Sequence, residues 1–82
     1  MIKKIEKWIN SYYKNNYNFN NNEYIEIIDL LISKMNKLDE SSVKRLNKEL
    51  TLVINKYKIR DYYYVIEIFE YKIIGILKDS NL

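Results

Sequence analysis

Residues 2–14 set Ile2, Ile5, Trp8, Ile9, Tyr12 and Tyr13 at steps of three and four, while Lys3, Lys4, Lys7 and Lys14 fall largely on the opposite side. That spacing follows the 3.6-residue turn and predicts an amphipathic helix. Asn15-Asn16-Tyr17-Asn18-Phe19-Asn20-Asn21-Asn22 then interrupts it. Asn side chains compete for backbone hydrogen bonds and favour turns and caps, so this run reads as a loop, pinned by Tyr17 and Phe19.

The second segment opens with Asn20 and Glu23 in the spacing of a capping box, in which the Asn side chain accepts a backbone N–H at the helix start. Tyr24, Ile28, Leu31, Met35 and Leu38 follow at alternating steps of four and three. Glu23, Glu26 and Asp29 lie early, Lys34 and Lys37 late, an order that complements the helix macrodipole. A third helix begins at Asp39, with Leu38 before it and Val43 after it in the positions of a hydrophobic staple. Val43, Leu46, Leu50, Val53 and Tyr57 continue its stripe. The link between these two helices is so short that they must run antiparallel.

Tyr62-Tyr63-Tyr64-Val65-Ile66-Glu67-Ile68-Phe69 resembles a strand by composition. Yet Tyr62, Ile66, Phe69, Ile73 and Ile76 repeat at steps of four and three, and no Gly, Pro, Asn or Asp breaks the run from 62 to 74. The run is too long for a typical strand. The spacing predicts a helix over about 60–78, with Asp61 in its first turn; a β-hairpin over Thr51 to Ile74 is the alternative. Four amphipathic segments with short links predict an all-α, antiparallel four-helix bundle over residues 1–82 as one domain, with no internal repeat.

Composition narrows the chemistry. The chain has no His, Cys, Pro or Ala and a single Gly. Disulfides, zinc fingers, Cys–His or Ser–His catalytic pairs, P-loops and dinucleotide-binding turns all lack their residues. No cofactor is expected. Phe, Tyr, Met, Ile, Asn and Lys supply 50 of the 82 residues. This A/T-rich codon signature points to a low-GC bacterium, a mobile element, a parasite or a virus, and it discounts Ile and Tyr as strand signals. The start interleaves charge with apolar residues, unlike a signal peptide, and nothing could span a bilayer. The expectation is a cytoplasmic protein.

The last helix carries more apolar surface than one buried face needs: beyond its core stripe it bears Tyr63, Tyr64, Ile68, Tyr71 and Ile74. Tyr64, Ile68 and Tyr71 form a second stripe, with Tyr63 beside it and Asp61, Glu67 and Glu70 flanking it. One reading makes this a central helix covered on both sides, with tyrosine hydroxyls reaching water. The other makes Asp61, Tyr63, Tyr64, Glu67, Ile68, Glu70 and Tyr71 a partner-binding face, since exposed tyrosine beside charge is the usual make-up of a hot spot.

Net charge is +3, and all of it lies beyond residue 41. There Lys44, Arg45, Lys48, Lys56, Lys58 and Arg60 offer a phosphate-contacting patch for nucleic acid, or an ordinary solvated helix face. Ile2, Ile5, Trp8 and Ile9 edged by lysines would suit a membrane surface as well as a core. Glu67 and Glu70 share a helical face but lack the His that a di-metal bundle site would add, and Glu26 and Asp29 read as solvated acids. No metal site and no catalysis are expected.

In length, bare helical architecture, A/T-rich composition and the Asp61-Tyr62-Tyr63-Tyr64…Glu67…Glu70-Tyr71 surface, the whole chain resembles the small all-α immunity proteins of bacterial toxin systems, of the bacteriocin or contact-dependent-inhibition type. The resemblance implies a cytoplasmic protein that binds one cognate toxin domain and blocks its active site or docking surface. Any phosphate mimicry must be local, through Glu23/Glu26/Asp29 or Asp61/Glu67/Glu70. A basic nucleic-acid-binding protein and a structural homodimer joined through the last helix are the rival expectations.

Overall fold

The computed structural model describes residues 1–80, and each of the four predicted segments is helical. α1 spans Ile2–Lys14, α2 Asn21–Lys34 and α3 Glu40–Lys58, with a short 3-10 turn at Met35–Lys37. The last helix, 62–79, is one rod made of α4 (Tyr62–Ile68), a π turn (Phe69–Ile73) and α5 (Ile74–Asp79). No strand occurs among the described residues, so the β-hairpin alternative is wrong. The four-three spacing of buried positions overrode the strand-like composition. The fold is an all-α four-helix bundle.

Two helix starts carry a side-chain cap, whereas Asp39, where α3 begins, makes no side-chain cap hydrogen bond. Asn20 Oδ1 accepts from the Glu23 N–H at 3.1 Å. Asp61 is the N-cap of the last helix rather than part of its first turn, and its carboxylate accepts from the Tyr64 N–H at 3.3 Å. Between α3 and α4 the chain reverses through Arg60, which takes a positive φ of 61°. The Asp61 N–H reaches back to the Lys56 carbonyl at 2.9 Å. This left-handed C-terminal turn normally favours glycine, and a chain with one Gly uses Arg instead.

The last helix lies between α1 and α3 and supplies much of the core. Val65, Ile66, Ile68 and Phe69 are buried, and so are Ile73, Ile74, Ile76 and Leu77. The second set repeats the first eight residues later, a local recurrence that the stripe Tyr62–Ile66–Phe69–Ile73–Ile76 does not reveal. Two α turns take about 7.2 residues, so in an unbroken α-helix the second set would be rotated by about 80° relative to the first. A π turn closes i→i+5 hydrogen bonds and takes in about one extra residue. It brings the two sets back into line. Ile74, expected outside the core stripe and four residues after half-buried Glu70, is turned inward by the π turn and is only 8% exposed.

Around this rod the aromatic residues interlock. Trp8 meets Phe69 edge-on at 5.1 Å and Phe19 at 5.5 Å. Phe19 stacks on Tyr62 at 4.4 Å, and Tyr24 stacks on Tyr57 at 4.3 Å. Phe19 therefore pins the Asn-rich loop as expected. Tyr17 holds it more loosely: it stays 61% exposed, with edge contacts to Tyr12, Tyr13 and Tyr63. Ile5, Trp8 and Ile9 are buried. The α1 stripe is core, and the membrane-surface reading loses its apolar face.

Candidate functional site

Burial of the last helix on two sides leaves an outward arc, and this arc divides the expected partner-binding residues into two groups. On the α1 side, the Tyr13 hydroxyl donates to Glu70 Oε1 at 2.9 Å, and the Tyr63 ring lies 6.3 Å from that of Tyr17. On the α3 side, Tyr64 and Tyr71 are 41% and 68% exposed. Ile68, expected on the surface between them, is 4% exposed. This corrects the stripe: Ile68 belongs to the edge of the core and not to the surface between the two tyrosines.

Its position still shapes the surface. Ile68 and Leu52 of α3 lie in a shallow cleft of about 220 Å³ bordered by Tyr64 and Tyr71, with Glu67, Glu49 and Lys72 beside them. Lys56 Nζ lies over the Tyr64 ring, 4.7 Å from its centre, a cation–π contact on a residue that stays 41% exposed. The π turn lets Glu70, Tyr71 and Lys72 escape full burial as three consecutive residues. Single π turns occur disproportionately at functional sites.

The acidic residues form no continuous face. Asp61 caps a helix, Glu70 accepts from Tyr13, and Glu26 pairs with Lys4 at 3.0 Å. Among the described residues, no three acidic side chains are grouped so as to hold a metal ion. The basic patch also needs redrawing. From Lys44 to Lys58, α3 rises about 21 Å, so these cations are strung along a rod. Arg45 and Lys48 join Lys72 and Lys78 of the last helix around one groove, while Lys56 is engaged by Tyr64. Arg45 also pairs with Asp79 at 3.5 Å.

No family model, curated protein or solved structure matches the chain. The cleft and groove must be interpreted from their own chemistry. No helix among the described residues is long and apolar enough to cross a membrane. Ile25 and Ile32, on the outer face of α2, are also exposed. They escaped the stripe reading because they fall beside it, and scattered surface hydrophobics of this kind are ordinary.

The tyrosine network has a measurable consequence at high pH. Burial pushes the Tyr24 phenol up to about 12, with Tyr57 adding to the shift. Burial raises Tyr12 as well, and burial together with the hydrogen bond to the Glu70 carboxylate raises Tyr13. The unfolded chain releases these protons near pH 10, before the folded chain does. Stability is therefore intact below about pH 10 and falls as pH rises toward 12. Urea midpoints at pH 9 and pH 11 should show this fall, and the Tyr13→Phe variant should show a shallower one.

Proposed function

We propose that the chain is a non-enzymatic protein-binding module, most concretely an immunity protein that binds and neutralises a cognate bacterial toxin domain. One observation carries the reading. Tyr64 and Tyr71 stand exposed on the same side of the last helix and border an apolar cleft that contains Ile68 and Leu52. Tyrosine offers a large, amphipathic contact at low entropic cost, and such residues concentrate binding energy when a partner seals them from water. The sequence supports a binding role in a second way, because it lacks the His and Cys on which most nucleophilic and metal chemistry would draw.

The test is capture from the source cells with matched baits. The intact chain should retain a toxin-domain partner, and the Tyr64→Ala/Tyr71→Ala chain should lose it. A Tyr17→Ala bait, altered on the other side of the last helix, should retain it. The double substitution should weaken binding by more than about 2 kcal/mol, the scale of a hot spot. Equal retention by all three baits would remove this face from the interaction.

A further inference from the structure

The apolar cleft does not end at Tyr71. It continues along the seam between α3 and the last helix into a groove of about 540 Å³ bordered by Tyr71, Gly75, Arg45, Lys48, Lys72 and Lys78. Two helices supply these four cations, so the fold assembles a group that neither helix presents alone. Gly75 is the one glycine of the chain, and a Cβ placed on it would meet nothing within 4 Å. It leaves the groove open where a side chain would project into it.

We propose that this groove takes an acidic, amphipathic segment of the partner protein. Apolar side chains would enter the cleft between Tyr64 and Tyr71, and carboxylates would lie among Arg45, Lys48, Lys72 and Lys78. The inference rests on the protein-binding reading and names the chemistry of the partner's contact. One feature favours a protein segment over a nucleic-acid backbone. The adjoining cleft contains Ile68 and Leu52 and takes an aliphatic anchor, which a nucleic-acid backbone lacks. Glu49 and Asp79 also line the groove, so the carboxylates of the segment must be spaced to meet the cations and not these acids. The arrangement follows the helix-in-groove mode, in which apolar anchors give affinity and charge gives register and rate.

The probe is a fluorescein-labelled helical peptide with Leu at i, i+3 and i+7 and Glu on the flanking positions, followed by anisotropy against the full chain. Its affinity should fall at least about tenfold when its Glu residues become Gln, and similarly when its Leu residues become Ser. Lys48→Glu/Lys72→Glu should weaken binding to the same extent, whereas Lys3→Glu/Lys7→Glu on α1, with the same change in net charge, should not. Gly75→Leu should block the groove with no change in charge, and it improves helix propensity, so the variant folds. Absence of peptide binding overturns the proposal. So does equal loss in the α1 control, or tighter binding of single-stranded oligothymidylate than of the peptide. If the cell-derived partner is lost with Tyr64→Ala/Tyr71→Ala but kept by Gly75→Leu and Lys48→Glu/Lys72→Glu, the protein-binding reading stands and the groove inference fails.

Discussion

Phe69→Ala should lower the unfolding free energy by about 3–5 kcal/mol, the usual cost of emptying a buried aromatic site. Phe69 is fully buried, at the start of the π turn, and its ring meets Trp8 edge-on at 5.1 Å. The truncation removes that contact and opens a cavity between α1 and the last helix. A chain of this length has a total stability of about 4–12 kcal/mol, so the loss is a large share of the whole. Urea unfolding followed by circular dichroism should show the midpoint falling sharply. Phe69→Leu, which keeps most of the volume, should recover much of it.

The second large effect concerns single-residue deletions in the last helix. Removing Lys72, an exposed residue of the π turn, shortens the eight-residue repeat to seven. An unbroken α-helix then aligns both apolar sets, since two turns take about 7.2 residues. This variant should fold, with a melting temperature within about 8 °C of the parent, equivalent to about 1 kcal/mol or less. Removing Glu67 instead turns Val65 and Ile66 about 100° away from Ile68 and Phe69. That deletion takes fully buried side chains out of the core and should abolish cooperative unfolding. If the Lys72 deletion also failed to fold, the eight-residue repeat would not be the cause of the π turn.

Most of the helical architecture was legible in the sequence because helix periodicity is a local signal. Tyr62, Ile66, Phe69, Ile73 and Ile76 gave the last helix its period in spite of its Tyr- and Ile-rich composition, and Asn20 marked where α2 begins, whereas Asp61 reads as a first-turn residue and is the cap. The π turn was written there too, in the matching sets Val65-Ile66/Ile68-Phe69 and Ile73-Ile74/Ile76-Leu77, but a search at α-helical spacing passes over a period of eight. The fate of Ile68 depended on how far α3 covers the last helix, which is a matter of packing between elements. The exposure of Tyr17 was hidden for a similar reason. Its loop turns through positive φ at Asn16 and Tyr17, and the ring comes to rest on other tyrosines at the surface.

The cationic groove was the least legible feature. Arg45 and Lys48 read as part of a basic patch on α3 and the turn after it, and Lys72 and Lys78 lie on another helix, far along the sequence. Only the packing of α3 against the last helix makes them neighbours around one opening. Asp61 and Glu70 each have a structural partner that the sequence did not announce, a helix N–H for one and the Tyr13 hydroxyl for the other.

The proposed binding face stands on Tyr64 and Tyr71 being surface residues whose energy is spent on a partner and not on the fold. The most direct measurement is urea unfolding of the Tyr64→Ala/Tyr71→Ala chain beside its affinity for the captured partner. The expected result is an unfolding free energy within about 1 kcal/mol of the parent, as for exposed positions, with affinity reduced at least about thirtyfold. A loss of several kcal/mol in stability with affinity unchanged would contradict it and return both tyrosines to the core.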